Sequence, residues 1–170
     1  MNAKALIMDN DSVERAITRI SHEIIERNKG IEGLVILGIV GKGIPLSKKL
    51  GAKISQITGT EIDIRHVDIK GHRDDIDRNS SDKFKFDFDI ENKTIIIVDD
   101  VLYTGRTVRA ALDAIVYNGR PKKVQLAVLI DRGHRELPIR PDYVGKNVPT
   151  SREERIVVVL EDENNKVLIE

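Results

Sequence analysis

A run of β-branched, apolar residues that ends in two acids constrains this chain more than any other feature. Residues 95–107 read IIIVDDVLYTGRT, and residues 94–98 predict a central buried strand. Residues 106–118 predict a helix, so a short loop joins this strand to it. In open α/β sheets, ligands bind outside the carboxyl ends of the strands. Asp99 and Asp100 are therefore expected where a ligand would lie.

The loop between this strand and helix has the chemistry of an anion site. Gly105 lets the backbone approach an anion closely, and the amides of the turn and of the helix N-terminus point at it. Thr104 and Thr107 add hydroxyl donors. The two carboxylates would repel a phosphate, so they suit ribose hydroxyls or a Mg²⁺ carried by those hydroxyls. A plain Asp-Asp turn with Thr104 as a helix cap is the simpler alternative. The combination in one strand–loop–helix favours a ribose 5-phosphate site.

The rest of the chain predicts alternating strands and helices, the pattern of a mostly parallel α/β sheet. Since 170 residues suit one domain with a sizeable core, residues 1–170 are expected to form a single domain. Further strands are expected at residues 34–39, 61–69, 124–130, 155–160 and 166–169, and further helices at residues 11–27 and 45–57. Residues 71–88 and 131–151 are expected to be irregular, because they lack a clean apolar period.

Composition narrows the function. The 28 basic and 28 acidic side chains cancel, which argues against strong non-specific nucleic-acid binding but not against a local basic patch. Aromatic residues form 4% of the chain, so platforms for stacking bases are few. Without cysteine, a disulfide framework and a thiolate metal site are both excluded. Neither a signal-peptide pattern nor a membrane-spanning apolar run is found in the sequence, and a cytoplasmic protein is expected.

Residues 95–107 resemble the signature with which type I phosphoribosyltransferases bind phosphoribosyl pyrophosphate (PRPP). This resemblance implies a central, mostly parallel sheet flanked by helices, with a small hood made from both chain ends. It also implies that Asp99 and Asp100 hold the ribose hydroxyls and Mg²⁺, through those hydroxyls or water. The remaining contacts to PRPP or a nucleotide would come from Val101, Leu102, Tyr103, Thr104, Gly105, Arg106 and Thr107.

Residues 100–114 and 131–151 together resemble a narrower group, the PyrR family. Members of this family are bacterial regulators of the pyrimidine operon and are also uracil phosphoribosyltransferases. The resemblance implies that a uridine nucleotide, UMP or UTP, promotes binding to a hairpin in the leader mRNA and thereby transcription termination. It also implies PRPP and uracil as substrates, and a homodimer or a larger homo-oligomer.

One face of the first predicted helix bears on RNA binding. Arg15, Thr18, Arg19 and His22 follow helical spacing and form a polar stripe opposite the apolar face. Taken alone, this stripe is the solvated face of an ordinary helix. The resemblance implies instead that the stripe joins an RNA surface, where Arg and Lys contact phosphates while Thr and His contact base edges or 2′-hydroxyls. The expected RNA-binding residues are Thr18, Arg19, His22, Arg135, Arg140, Lys146 and Thr150.

The expected pyrophosphate loop departs from the family pattern. The family typically has Lys-Thr-Arg-Gly where this chain has Val40-Gly41-Lys42-Gly43. Gly41 still permits close backbone approach to pyrophosphate, and Lys42 keeps one charge without the bidentate fork of arginine. Lys42 is therefore an expected catalytic residue that acts on the leaving group.

A second departure concerns the loop that covers the site in this family. Arg73 is the expected closing cation and, with Lys42, Asp99 and Asp100, an expected catalytic residue. His72 replaces an aromatic residue of the family, and taken alone it reads as a solvated loop histidine. The stretch from Arg73 to Ile95 is shorter than usual, so the cover is expected to close differently.

The base pocket is less defined. Backbone groups near Arg132 would pair with a pyrimidine edge, or the Arg132 side chain would stabilise its segment through a carboxylate; both readings stay open.

The expected function is a nucleotide-sensing mRNA-binding attenuator that also makes UMP from uracil and PRPP. Two alternatives remain at this point: a regulator whose catalysis is weak or lost, and a phosphoribosyltransferase without RNA function.

Overall fold

The computed structural model describes residues 3–74 and 83–170, which fold into alternating strands and helices. The strands are β1 (Ala5–Met8), β2 (Leu34–Ile39), β3 (Asp63–Val67), β4 (Thr94–Leu102), β5 (Lys123–Asp131), β6 (Tyr143–Asn147), β7 (Ile156–Val159) and β8 (Lys166–Ile169), and the helices are α1 (Asn10–Arg27), α2 (Gly43–Thr58) and α3 (Arg106–Asn118), with a 3₁₀ turn at Lys70–His72.

Within these described ranges, five parallel strands form the main sheet in the order β3-β2-β4-β5-β6. The centre of the sheet is β4, whose continuous apolar run suits a strand covered on both faces. Side chains alternate along it, so Ile96 and Val98 pack with α1 and α2, whereas Ile95 and Ile97 pack with α3. The sheet flanked by helices confirms the expected fold.

The two ends of the described chain form a second, smaller sheet. Its antiparallel order is β1-β8-β7, and β1 pairs with β8. Ile156, Val158 and Val167 turn inward and join the core that α1 and α2 share with the main sheet. This sheet is the hood expected from both chain ends.

Two predictions of local structure were wrong. The central strand does not end before the acids, because β4 continues through Asp99 and Asp100 to Leu102. Residues 131–151 are not irregular throughout, since β6 lies within them and pairs with β5. The buried Tyr143 begins β6, and its hydroxyl donates to Gln125 on β5 over 2.7 Å. Of residues 71–88, those from 75 to 82 lie outside the described residues.

Candidate functional site

A pocket of about 310 Å³ lies at the carboxyl end of β4, where the sequence predicted a ligand. Arg73 and Asp99 both line it. The loop that leads into α3 supplies the rest of the lining, namely Val101, Leu102, Tyr103, Thr104, Gly105, Arg106, Thr107 and Val108. The structure therefore brings the expected phosphate loop, one acid of the pair and the expected closing cation to one cavity.

The phosphate loop owes its shape to Gly105. Its φ of 95° lies in the left-handed region that favours glycine, and it stands directly before the first residue of α3. The carbonyl oxygen of Thr104 accepts hydrogen bonds from the backbone amides of Glu136 and Leu137 at 2.9 and 3.2 Å. The loop is thus held from behind, while the N-terminus of a thirteen-residue helix faces the pocket, an arrangement that binds anions.

The Arg106 guanidinium is held by two carboxylates at the edge of this pocket. Its Nε donates to Glu136 over 2.9 Å, and its Nη1 donates to Asp74 over 2.8 Å. These two carboxylates raise the pKa of the Arg106 guanidinium, with the hydrogen bond to Glu136 the largest cause. Arg106 therefore joins three segments around the pocket, and its backbone amide belongs to the helix N-terminus.

The acid pair is asymmetric because strand side chains alternate between faces. Asp99 is 9% exposed and lines the pocket, whereas Asp100 is half-buried. Oδ1 of Asp99 accepts the amide of Asp100 over 2.9 Å, and Oδ1 of Asp100 accepts the amide of Val101 over 2.8 Å. Burial, followed by the nearby charge of Asp100, raises the pKa of Asp99 well above its ordinary value. This carboxylate gains most from hydroxyl donors or a cation brought by a ligand.

The expected pyrophosphate loop is open. Gly41 has a φ of 115° and is exposed, as is Lys42. Gly43 is buried, and a Cβ on it would lie 2.6 Å from the carbonyl oxygen of Val98. Because Gly43 has no side chain, the first residue of α2 packs directly against the backbone of β4. Gly41 and Lys42 are not among the residues that line the 310 Å³ pocket.

His72 is the clearest correction to the sequence reading. It is not a solvated loop histidine, because its side chain is fully buried. Nδ1 lies 2.8 Å from Oδ2 of Asp113, and Nε2 accepts the backbone amide of Phe84 over 2.9 Å. Residue separation explains the error, since Asp113 lies on α3 and sequence patterns do not show which helix face will meet a loop. Arg73, directly after it, is half-buried and lines the pocket.

Arg132 stabilises its surroundings, but not through a carboxylate as one reading proposed. Its guanidinium donates to the hydroxyl of Thr150 and to the carbonyl oxygens of Ser151 and Glu154, at 2.8–3.0 Å. It also stacks over the ring of Tyr103, with Cζ 4.0 Å from the ring centroid. This contact between the phosphate loop and the residue directly after β5 was not foreseen, because it joins residues far apart in sequence.

A second cavity of about 430 Å³ lies at the carboxyl ends of β5 and β6. Its lining is Asp131, Arg132, Gly133, His134, Arg135, Asn147, Pro149 and Thr150. The residues expected near a pyrimidine and two of those expected at an RNA surface therefore share one cavity, next to the phosphate loop that Arg132 contacts.

The expected RNA-binding residues fall into two groups. His22, Arg140 and Lys146 are exposed, and no hydrogen bond or ion pair is found for their side chains among the described residues. The other four have partners within the chain. Thr18 donates to Glu14, and Arg19 donates to Glu23 and to the carbonyls of Val144 and Gly145. Arg135 donates to Asp131, Tyr103 and Ile139, whereas Thr150 accepts from Arg132. The contact of Arg19 with Gly145 brings the polar stripe of α1 beside Lys146.

Membrane association through a spanning helix finds no support in the described part of the chain, where every helix is too short or too polar to cross a bilayer.

Comparison with known proteins agrees with this geometry. Residues 6–164 match the model of the phosphoribosyl transferase domain. The bifunctional protein PyrR of Clostridioides difficile (strain 630) is 58% identical over 94% of this chain and 93% of its own length. That of Clostridium kluyveri is 54% identical over 95% and 93%, and that of Bacillus cereus (strain AH820) is 52% identical over 99% and 98%.

Solved structures support the fold. A hypoxanthine phosphoribosyltransferase from Staphylococcus aureus has a TM-score of 0.73 at 21% identity, covering 95% of this chain and 90% of that one. The enzyme from Trypanosoma cruzi, in complex with the product IMP, has a TM-score of 0.73 at 18% identity, covering 98% and 90%.

Proposed function

The chain belongs to the phosphoribosyltransferase family and, within it, to the bifunctional PyrR proteins, and on this premise we propose how its residues divide the work. It is an mRNA-binding regulator of pyrimidine biosynthesis that also has uracil phosphoribosyltransferase activity. The observation that carries this function is the identity of 52–58% to bifunctional relatives over nearly the whole chain. The narrower alternatives, a regulator that lacks catalysis and an enzyme that lacks RNA function, are not favoured.

Catalysis begins with the placement of the ribose phosphate. The amides of the loop from Thr104 to Thr107 bind the 5-phosphate, and the hydroxyls of both threonines add donors. Asp99 and Asp100 accept hydrogen bonds from the ribose hydroxyls. The support for this assignment is that Asp99 and the loop line one pocket, and that the buried Asp99 carboxylate needs donors.

Mg²⁺ fits the acid pair only together with substrate oxygens. Among the described residues, no group of three or more His, Asp or Glu side chains is placed to hold a metal ion. Mg²⁺ is commonly bound by one or two carboxylates while it keeps water and phosphate ligands, which agrees with Asp99 and Asp100. When bound, the ion would neutralise charge on the pyrophosphate of PRPP.

The remaining requirement of the reaction is stabilisation of the departing pyrophosphate. N1 of uracil forms a bond to C1 of the ribose and gives up its proton to water or to the departing pyrophosphate, while negative charge grows on the pyrophosphate oxygens as the C1–O bond breaks. Arg73 lines the pocket and supplies one cation, while the exposed Lys42 and the amide beside Gly41 supply a second contact. A steady-state assay with uracil, PRPP and Mg²⁺ tests this function, and the absence of UMP formation would refute it.

Replacing Lys42 with arginine is expected to raise kcat about tenfold if stabilisation of pyrophosphate limits the reaction. Arginine restores the bidentate fork that the family typically has at this position, and such paired hydrogen bonds are stronger than one ammonium contact. The measurement is kcat with saturating uracil and PRPP, and the control is Lys48→Arg, at an exposed lysine of α2. Unchanged or lower turnover would count against pyrophosphate departure as the limiting step.

For RNA recognition we propose that the exposed His22, Arg140 and Lys146 make direct contacts. Thr18, Arg19, Arg135 and Thr150 belong to the same surface, where their internal hydrogen bonds set its shape. The proximity of Arg19 and Lys146 and the shared cavity of Arg135 and Thr150 support this grouping. Gel-shift titration with a pyrimidine-leader hairpin tests it, and UMP should tighten binding.

Lys146→Ala is expected to weaken hairpin binding about tenfold and to reduce the slope of log K against log salt by about 1, as loss of one phosphate contact does. Lys85→Ala is the matched control, because Lys85 is equally exposed but lies in the segment beside β3, at the opposite edge of the sheet. Equal effects of the two variants would show that only overall charge matters.

The proposed assembly is a homodimer or a larger homo-oligomer in the cytoplasm, with PRPP, uracil, UMP or UTP, and the leader hairpin as partners. Sedimentation velocity with and without UMP measures the oligomeric state, and a monomer at micromolar concentration would refute this proposal.

A further inference from the structure

A buried histidine joins the two described stretches of chain on either side of residues 75–82. His72 ends the 3₁₀ turn, and Phe84 is the second residue after position 82. The imidazole contacts both Phe84 and Asp113, and Asp113 also accepts from Lys83 over 3.2 Å. One helix, α3, therefore holds the chain before residues 75–82 and the chain after them.

The hydrogen bonds fix the state of the ring. The backbone amide of Phe84 can only donate, so Nε2 of His72 must accept and carries no proton. Nδ1 then bears the ring proton and donates it to the Asp113 carboxylate. The hydrogen bond from His72, the largest cause, and the Lys83 ammonium together lower the pKa of Asp113 below its ordinary value. The neutral Nδ1–H tautomer is therefore the form of His72 that satisfies the Phe84 amide, the imidazole itself and the Asp113 carboxylate.

Neighbouring contacts reinforce the same junction. Asn118, the last residue of α3, donates to the carbonyl of Phe84 over 2.7 Å and accepts the amide of Phe86 over 2.8 Å. Arg109 donates to the carbonyl of His72 over 3.3 Å, and the ring of Tyr117 meets the imidazole edge-on. These contacts place the backbone of residue 72 at a fixed distance from α3, whose first residues form the phosphate site.

The residue directly after His72 is Arg73, which lines the ribose phosphate pocket. The next residue, Asp74, is held by Arg106 at the start of α3. Because the chain is held on both sides of Arg73, the point from which its side chain starts is fixed relative to the pocket. Phenylalanine at 72 would fill the space but offer neither the donor to Asp113 nor the acceptor for Phe84.

We infer that His72 is a positioning residue for phosphoribosyl transfer: its neutral imidazole, held by Asp113, ties Phe84 to α3 and sets Arg73 at the pocket. The inference rests on the proposed function only in the role given to Arg73. Since Arg73 is assigned to the pyrophosphate, the effect of His72 should fall on PRPP, which carries that group, and not on UMP, which lacks it.

Binding of the two ligands separates this role from a general loss of structure. His72→Phe and Asp113→Ala are expected to raise the Kd of PRPP, with Mg²⁺ present, about tenfold, as loss of a buried hydrogen bond would. The Kd of UMP should stay within about twofold. Asp113→Asn should have a smaller effect than Asp113→Ala, because its side-chain oxygen still accepts from Nδ1. Val116→Ala, on the exposed face of the same helix, is the control.

Nitrogen NMR of the His72 ring gives an independent readout, and an unprotonated Nε2 with a protonated Nδ1 is expected near pH 7.5. A protonated Nε2 at this pH, an unchanged PRPP affinity in His72→Phe and Asp113→Ala, or equal weakening of PRPP and UMP would each overturn the inference. Should His72→Phe not fold, the two Asp113 variants carry the test. Because ligand affinity is measured rather than turnover, a wild-type protein that binds PRPP without forming UMP would refute the proposed catalysis and leave this inference testable.

Discussion

Asp99→Asn is expected to lower kcat/KM for UMP formation at least about 100-fold while making the folded protein more stable at neutral pH. The loss follows because a neutral amide cannot accept strongly from the ribose hydroxyls or hold a cation. The gain in stability follows because Asp99, which is 9% exposed and adjacent to Asp100, carries a poorly solvated charge that asparagine removes. Removing such a charge commonly stabilises a protein by about 1 kcal/mol. Activity and stability should therefore change in opposite directions.

The pH dependence of this gain has a definite sign. Burial and the charge of Asp100 raise the pKa of Asp99 in the folded protein. The folded state thus binds this proton more tightly than the unfolded chain, so ionisation of Asp99 removes stability as pH rises through the folded pKa. Only well below the ordinary value of 3.8 is Asp99 protonated in both states, and there the advantage of asparagine should vanish; it should already be smaller at pH 4.5 than at pH 7.5.

Urea denaturation of the wild type and Asp99→Asn at pH 7.5 and pH 4.5, alongside the PRPP assay, provides the measurement. The matched control is Asp162→Asn, an exposed acid in the turn between β7 and β8. A variant that is both inactive and less stable at pH 7.5 would contradict the claim that the buried Asp99 charge destabilises the fold. An active variant would contradict the proposed role of Asp99 in ribose binding.

Arg132→Lys is expected to lower the free energy of unfolding by about 2–3 kcal/mol and to weaken hairpin binding in the presence of UMP about tenfold. Lysine keeps the charge but cannot donate from a planar fork to Thr150, Ser151 and Glu154 together. It also loses the stacking over Tyr103. Since Thr150 belongs to the proposed RNA surface and Tyr103 to the phosphate loop, one substitution should disturb both.

The control is Arg152→Lys, because Arg152 is exposed and lies in the same segment. Urea denaturation and gel-shift titration, each with and without UMP, measure the two effects. Unchanged stability in Arg132→Lys would mean that the fork contributes little net free energy. A loss of stability without a loss of RNA affinity would separate Arg132 from the RNA surface.

The phosphate loop could be predicted because its information is local. A buried strand, Gly105 and a helix that starts at Arg106 are all encoded within a short stretch, and the structure confirms the helix from Arg106 to Asn118. The end of β4 was predicted too early because charged residues usually mark the end of an apolar strand. Asp99 remains in the strand since its backbone pairs with Val128 on β5.

The contacts of His72 and Arg132 could not be predicted, because their partners lie far away in sequence. Asp113 is 41 positions from His72, and the hydrogen-bond partners of Arg132 lie 18 to 22 positions away. β6 escaped prediction for a different reason: the strand is short, contains Gly145 and lies between Pro141 and Pro149, a pattern that resembles a loop. Its strand conformation is imposed by pairing with β5 rather than by its own pattern.

Arg19, expected to contact RNA, has a consequence for solubility. β6 forms one edge of the main sheet, and an unpaired edge can recruit a strand from another molecule, the first step of edge-to-edge aggregation. Arg19 donates to the carbonyls of Val144 and Gly145 on that edge, at 3.1 and 2.7 Å. Two carbonyl groups of β6 are therefore already hydrogen-bonded, and a positive charge lies beside them. Both effects disfavour the addition of a strand from another molecule to this edge.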